Sequence, residues 1–383
     1  MLTQSISANY NLLHHKDAGN EKAELSKESA EVSPSMNQAS KQRIIILAEG
    51  KLDLFSAKTA ISVIRYRRDD VVAVIDHTNA GKDLETIVGV GNGIPIVCNI
   101  EETLKLKPTH LLIGIAPPGG MLPLEWRKHI NDALKNKIHI ISGLHIHLSE
   151  EDEFSRLAQS NKIEIWDVRK VPENIPIGTG KAKETKTLRI LTVGSDCNIG
   201  KMVTSIEITK AAKKRGINAC FIATGQTGIM IEGSGIAIDH VVSDFISGAA
   251  EKLVLDRAQY KLLNIEGQGS IIHPAYSGVT LGLLHGSAPQ GLILCHQPSR
   301  KTLRHFPNFT ILPLTYLIDL YEKLAQPIHP CKVIGISLNC FGMTDQQSLA
   351  EIKKVEKETK LPVADPIKFG VDKFIEVIQP LLP

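Results

Sequence analysis

The chain has no cysteines at CxxC spacing; its six, Cys98, Cys197, Cys220, Cys295, Cys331 and Cys340, stand apart. That argues against a zinc ribbon or a disulfide framework. Cys98, Cys197, Cys220 and Cys295 lie in or beside apolar strand-like runs and read as small core residues of a reducing compartment. No apolar stretch nears the ~20 residues that span a bilayer. The first residues carry Asn, His, Lys and Glu where a secretory leader needs an apolar run, so a cytoplasmic protein without membrane contact is expected. Charge of one sign is missing too. A net charge of +3 over 383 residues offers no broad basic surface for nucleic acid. What is present is ordinary for a globular chain: 43% apolar and 22% charged residues, long enough for two domains with separate cores.

Residues 1–42 are rich in Ser, Lys, Glu, Asn and Gln without periodicity, and read as a mobile extension. From residue 43 to 172, short apolar runs at Arg43–Ala48, Val71–Ile75, Leu111–Ile115 and Ile138–Ile141 alternate with helical patterns at Lys58–Arg65 and Trp126–Lys135. Such alternation predicts βαβ units and a Rossmann-like parallel sheet. Residues 173–187, including Gly178–Lys186, read as a linker. Residues 188–383 repeat the alternation, with strands expected at Leu188–Val193, Ala219–Ala223, Leu262–Ile265, Leu292–Cys295, Val333–Leu338 and Pro362–Ala364. Helical patterns lie near Lys201–Arg215, Phe245–Gln259, Leu314–Leu324 and Gln346–Thr359. A second α/β, doubly wound sheet follows.

The strongest motif opens that second unit: Gly194, Ser195, Asp196, Cys197, Asn198, Ile199, Gly200, Lys201 and Met202. It follows a strand and begins a helix, the setting a phosphate-binding P-loop requires. Gly194 and Gly200 allow backbone angles that turn N–H groups toward an anion, the helix N-terminus adds partial charge, and Lys201 adds a full one. A Ser or Thr after the lysine, which would hold Mg²⁺, is lacking; Met202 stands there. Ordinary ATP hydrolysis is thereby disfavoured.

Companions follow the later strands. Glu266 ends Leu262–Ile265 and leads into Gly267-Gln268-Gly269, where it would hold Mg²⁺, orient a water or act as a base. His273 follows as a second candidate base. Thr224, Gln226 and Thr227, in Ala223–Gly228, together with Gln268 are candidates to line a substrate cavity. Asp239 and Asp244 are alternative metal ligands, with a helix cap the competing role for Asp244. Arg300 and Arg304 would share a face if helical, to bind a carboxylate or phosphate, a solvated basic face being the other reading. Asn339 closes a strand where a base-recognising amide would sit. In the first unit, Ala48-Glu49-Gly50-Lys51 is not GxGxxG, so no dinucleotide is expected. Asp76, His77, Asn79 and Lys82 would either face the other domain's site or form a plain loop, and Pro117–Gly120 would shape an interdomain cleft.

Taken together, Gly194–Met202, Ala223–Gly228, Glu266–Ser270 with His273-Pro274, Asp365–Gly370, Gly114–Gly120 and Ser142–His145 resemble a bacterial and archaeal family of P-loop proteins long catalogued as a domain of unknown function. The resemblance covers nearly everything after residue 42, and the Lys-Met ending is that family's own variant. The family includes D-glutamate N-acetyltransferases that use acetyl-CoA. More distantly, the loop, Glu266 and Asn339 are similar to dethiobiotin synthetase, where the matching acid helps hold Mg²⁺ and the matching amide meets adenine. The resemblance implies an N-acetyltransferase acting on an acidic amino acid, with acetyl-CoA at the P-loop and Lys201 or backbone N–H groups on the oxyanion. An ATP- and Mg²⁺-dependent ligase or kinase, with Glu266 on the metal, is the alternative. A nucleotide-responsive binding protein without catalysis is the third. The expected partner is a small-molecule substrate, and the sequence leaves the oligomeric state open, a homo-oligomer included.

Overall fold

The computed structural model describes residues 41–54, 56–115 and 122–383. The expected extension up to residue 40 and the Pro117–Gly120 loop lie outside the described residues. Six short strands form the first sheet: β1 (Ile44–Leu47), β2 (Val71–Ile75), β3 (Ile96–Val97), β4 (His110–Ile113), β5 (His139–Ser142) and β6 (Ile165–Asp167). They pair in parallel in the order β3-β2-β1-β4-β5-β6. Runs such as Ile44-Ile45-Ile46-Leu47 are apolar throughout because both faces of the sheet are covered. The cover comes from α1 (Lys58–Tyr66), α2 (Leu84–Val88), α3 (Ile100–Thr103), α4 (Leu124–Lys135) and α5 (Asp152–Asn161). The strand order is the Rossmann one, and it reverses between β1 and β4.

The second sheet is built from β7 (Leu188–Gly194), β8 (Ala219–Ile222), β9 (Leu262–Ile265), β10 (Gly291–His296), β13 (Lys332–Leu338) and β14 (Val363–Ala364). Its order is β14-β13-β10-β7-β9-β8, again parallel. A small antiparallel hairpin, β11 (Thr302–Leu303) and β12 (Phe306–Thr310), stands apart. The helices are α6 (Lys201–Lys214), α7 (Gln226–Glu232), α8 (Ile246–Leu255), α9 (Ser277–Ser287), α10 (Leu314–Ala325), α11 (Asp345–Thr359) and α12 (Asp372–Ile378). From β7 the chain winds first toward β8 and β9, then crosses back to β10, β13 and β14. The reversal therefore lies between β7 and β10, and the loop after β7 opens at that ligand-binding crevice.

The two halves share apolar core. Phe221, Ile229 and Met230 of the second half are continuous with the cluster around the first sheet. Thr59 Oγ1 meets Thr227 Oγ1 at 3.0 Å, and Arg67 Nη1 donates to the Met230 carbonyl at 3.0 Å. The contacts join α1 and the residue that caps it to α7, so the helix that opens beside the P-loop is held by the Rossmann side.

The Gly178–Lys186 stretch, read as a linker, is tied to the P-loop half. Ala182 is fully buried, and the Glu251 carboxylate accepts from Thr179 N at 2.7 Å, Thr179 Oγ1 at 2.8 Å and Ala182 N at 3.2 Å. Burial opposes ionisation of Glu251, but those donors outweigh it and hold its pKa below the ordinary value. The approach is tight at Gly248, where a Cβ would lie 1.7 Å from the Pro176 carbonyl oxygen. Gly248→Ala should therefore destabilise the chain by about 3 kcal/mol, since a backbone must shift. Gly278→Ala, with open space around it in α9, should be neutral or stabilising by up to about 1 kcal/mol. Denaturant titration of the two variants checks the opposite signs.

Candidate functional site

Strand β7 ends at Gly194, and the loop up to α6 has the conformation an anion cradle needs. Asn198 (φ 55°) and Gly200 (φ 107°) are left-handed, and such residues interrupt a helical turn so that successive N–H groups converge. Gly194 is glycine for want of space: a Cβ there would lie 2.9 Å from the Asp196 carbonyl oxygen and 3.1 Å from Lys201 Nζ. Asp196 is buried beneath the loop. Its Oδ1 accepts from Cys197 N at 2.6 Å, and its Oδ2 accepts from Arg300 Nη1 at 2.7 Å and Arg304 N at 2.8 Å. Ser195 Oγ lies 2.9 Å from His296 Nδ1, and Tyr321 Oη donates to the Gly194 carbonyl at 2.8 Å. Lys201 Nζ folds back onto the Asp196 carbonyl at 2.8 Å. Burial pushes its pKa down, against the opposing influence of Cys295, Cys197, Asp196 and Glu266. A bound anion would relieve that penalty.

The loop faces a cleft of about 710 Å³. Cys197–Val203 form one wall and Gly225–Thr227 with Glu266–Gly269 another, while Lys58, Arg65 and Arg169 come from the Rossmann side. Glu266 Oε2 accepts from Thr224 N at 3.0 Å and Gly225 N at 3.1 Å, and the Thr224 hydroxyl donates to the Glu266 carbonyl at 2.7 Å. Burial nevertheless raises the Glu266 pKa from 4.5 to about 7, overriding the two N–H groups and Lys201. Gly228 leaves room for this carboxylate, since a Cβ there would sit 2.4 Å from Oε2.

Across the cleft, Arg169 Nε donates to the Gly143 carbonyl at 2.9 Å and to Gln226 Oε1 at 3.0 Å, and its Nη1 pairs with Asp239. These contacts bind the Ser142–His145 segment to α7. Arg169 is buried, whereas the Asp239 side chain is 33% exposed. Asp239→Ala, which leaves the buried guanidinium unpaired, should therefore lower stability by about 3 kcal/mol in chemical denaturation, and Arg169→Met by less, because water reaches the aspartate it leaves behind.

Comparison with known proteins supports one assignment. Residues 176–375 match the P-loop domain and residues 77–171 the Rossmann-like domain of the domain of unknown function DUF1611. The chain is 36% identical over 327 residues to a D-glutamate N-acetyltransferase of Tritonibacter scottomollicae, covering 85% of this chain and 95% of that one. It is 40% identical over 279 residues to a D-glutamate N-acetyltransferase of a Pseudoalteromonas species, covering 73% and 83%. The chain belongs to the DUF1611 family. A crystal structure of a DUF1611 family protein from Anabaena variabilis superposes with a TM-score of 0.85 at 39% identity, covering 88% of this chain and 99% of that one. The Rossmann-like and P-loop halves found here are thus the family's architecture.

In this DUF1611 chain the cleft gathers Cys197, Asn198, Ile199, Gly200, Lys201 and Met202 from the loop, as well as Gln226, Thr227, Glu266, Gln268, Arg300 and Asn339. Other residues singled out in the sequence lie elsewhere. Ser195, Asp196 and Thr224 are fully buried supports of the site. His273, expected as a base, is buried against Tyr276 and Phe306, with ring centroids 4.4 and 5.0 Å away. Its Nδ1 accepts from Ala275 N, and its Nε2 stands 3.9 Å from Asp196 Oδ1 behind the loop. It lines neither the cleft nor the pocket beside it, and its Nε2 has no hydrogen-bond partner, so the expected base stands behind the loop and not in the cleft wall. Arg300 and Arg304 share no helical face; Arg300 precedes the β11–β12 hairpin and Arg304 sits at its tip. Asp244 caps no helix, because the N-cap of α8 is Phe245. Asp76, Asn79 and Lys82 satisfy one another in a 3₁₀ turn and do not line the cleft. Lys58 and Arg169 were missed; no local pattern separates either from a solvated basic residue.

The donors present do not fit Mg²⁺ at the usual P-loop position. Met202 supplies no hydroxyl, and the Thr204 hydroxyl is turned to the Gly200 carbonyl and Ser337. Asp196 is paired with Arg300, and Asp239 with Arg169. Two groups among the described residues have metal-compatible spacing, Asp196–Cys197–His273 and Glu49–Asp76–His77. The Arg300 guanidinium opposes a cation at the first. At the second, Asp76 already accepts from Leu52 N, Thr78 N, Thr78 Oγ1 and Asn79 Nδ2. No helix of the described residues is long and apolar enough to cross a membrane.

Proposed function

We propose that this cleft binds acetyl-CoA by its diphosphate and transfers the acetyl group to the amine of an acidic amino acid, D-glutamate being the substrate named for two relatives. The observation that carries the reading is a P-loop that lacks the usual Mg²⁺-binding hydroxyl and shares one cleft with a buried, near-neutral-pKa carboxyl, Glu266. A thioester donor has no phosphoryl group to transfer, so its diphosphate needs an anion cradle and no catalytic metal. Backbone N–H groups at the start of α6 and the Lys201 ammonium hold that diphosphate. Glu266, once ionised, takes a proton from the acceptor ammonium, since its pKa near 7 suits a base at neutral pH. The freed amine attacks the thioester carbonyl; the C–N bond forms, the C–S bond breaks, and the proton shed by the acylated nitrogen passes to the departing CoA thiolate. Positive charge at Arg65 in the cleft wall attracts an acceptor carboxylate.

The test follows free thiol while the protein is incubated with acetyl-CoA, with and without D-glutamate, and follows phosphate release with ATP in place of acetyl-CoA. Thiol release that depends on D-glutamate supports the reading. ADP formation that depends on an amine or carboxylate, without thiol release, overturns it in favour of the ligase or kinase.

A further inference from the structure

A second pocket of about 340 Å³ adjoins the main cleft, with Lys58 and Arg300 in the wall of both. Its remaining lining comes from the β11–β12 hairpin: Thr302, Leu303, Arg304, His305 and Pro307. The hairpin is anchored to the P-loop, because Arg304 N and Arg300 Nη1 both donate to Asp196 Oδ2. His305, left-handed at φ 66°, makes the tight tip that presents Arg304. Lys58 enters from the opposite side, at the first residue of α1.

The charges here are unbalanced. Arg300 is neutralised by Asp196. Among the described residues, neither Lys58 nor the Arg304 side chain has a carboxylate partner; Arg304 Nε donates only to His305 Nε2, at 3.1 Å. Burial, then Arg304 and Arg300, lower the Lys58 pKa to about 8. Two cations from two domains are thus held around one concavity, at a loss that an anion between them would recover. A basic face meant only for solvation would splay such side chains apart, not enclose a pocket beside a phosphate loop.

We propose that Lys58 and Arg304 form a second anion subsite, built jointly by the two domains, which takes a dianionic terminal phosphate group on the ligand whose diphosphate lies in the P-loop. The proposal rests on the P-loop reading but not on acetyl transfer. Two sources share the chemistry: the 3′-phosphate of CoA and the terminal phosphate of a nucleoside triphosphate. The subsite would also make ligand binding bridge the two halves of the chain.

The experiment compares ligand pairs that differ by that one group, by calorimetric titration of the full chain with CoA against 3′-dephospho-CoA and with ATP against ADP. The wild type should favour the phosphorylated member of one pair by about tenfold or more. Lys58→Met and Arg304→Met should each reduce that preference severalfold, costing the phosphorylated member much more affinity than the lesser ligand; Lys58→Arg should restore it. Loss of the CoA preference identifies the 3′-phosphate as occupant, and loss of the ATP preference identifies the terminal phosphate. Preferences unchanged in all variants, or binding of neither CoA nor ATP, would overturn the proposal. So would variants that raise only the KM for the amino acid, which would make the occupant a carboxylate. A protein that shows the CoA preference yet transfers no acetyl group retains the subsite while the acetyltransferase reading fails.

Discussion

Glu266→Gln is expected to lower kcat for acetyl transfer by about 10²- to 10⁴-fold, the usual contribution of a positioned general base, and at the same time to stabilise the fold above neutral pH. Both effects have one cause. The carboxyl is buried at the end of β9, and its pKa stands near 7 instead of 4.5. A carboxyl whose pKa is raised by folding favours the folded state most fully below the unfolded value. That contribution is lost as pH rises from about 4.5 through about 7. Above that window the ionised side chain is carried at a penalty of about 3 kcal/mol. Glutamine keeps the shape and an oxygen for the Thr224 and Gly225 N–H groups but never ionises. Thermal melts of the two proteins should therefore coincide near pH 4.5 and separate by pH 8, with the variant higher. Wild-type rate should climb as pH passes about 7 and then level, whereas the variant stays flat. A variant less stable than wild type at pH 8, or one that keeps the wild-type pH–rate profile, would remove Glu266 from the base role.

Lys201→Met is expected to weaken binding of CoA ten- to hundredfold, about 1.5–3 kcal/mol for a lost charge-assisted contact. Methionine retains the buried stem, so the loop keeps its packing while the ammonium is removed. In the free protein Nζ has only the Asp196 carbonyl to satisfy it, and burial disfavours its charge. The unliganded variant should accordingly melt no lower than wild type, while the rise in melting temperature caused by CoA largely disappears. If the variant's affinity matches wild type, the loop is not where the ligand's diphosphate sits.

Much of the fold was legible because its determinants are local. Runs such as Val71–Ile75 and Leu262–Ile265 are apolar over a strand's length, and the structure has strands there. Elements that went unread lack such a pattern. Strands β3 and β6 span two and three residues, too few for a period to declare itself. Helix α9, Ser277–Ser287, mixes Gly, Ser, Thr and His with its apolar residues and shows no clean apolar stripe, so no 3.6-residue period marks it. The Arg300–Arg304 segment offered a helical spacing, yet Asp196 captures both an arginine side chain and a backbone N–H there, and the chain turns as a hairpin.

The sequence by itself determined two parallel sheets and an anion-binding loop, since strand length, glycine placement and a lysine at the start of a helix act within a few neighbouring residues. Tertiary structure alone decided what surrounds that loop. It buried His273 and kept Glu266 at the cleft, joined Arg169 to Asp239 and set Lys58 opposite Arg304. Burial and the charge of a neighbour fix the chemistry of those groups, and both depend on residues far away along the chain, where no local spacing carries information.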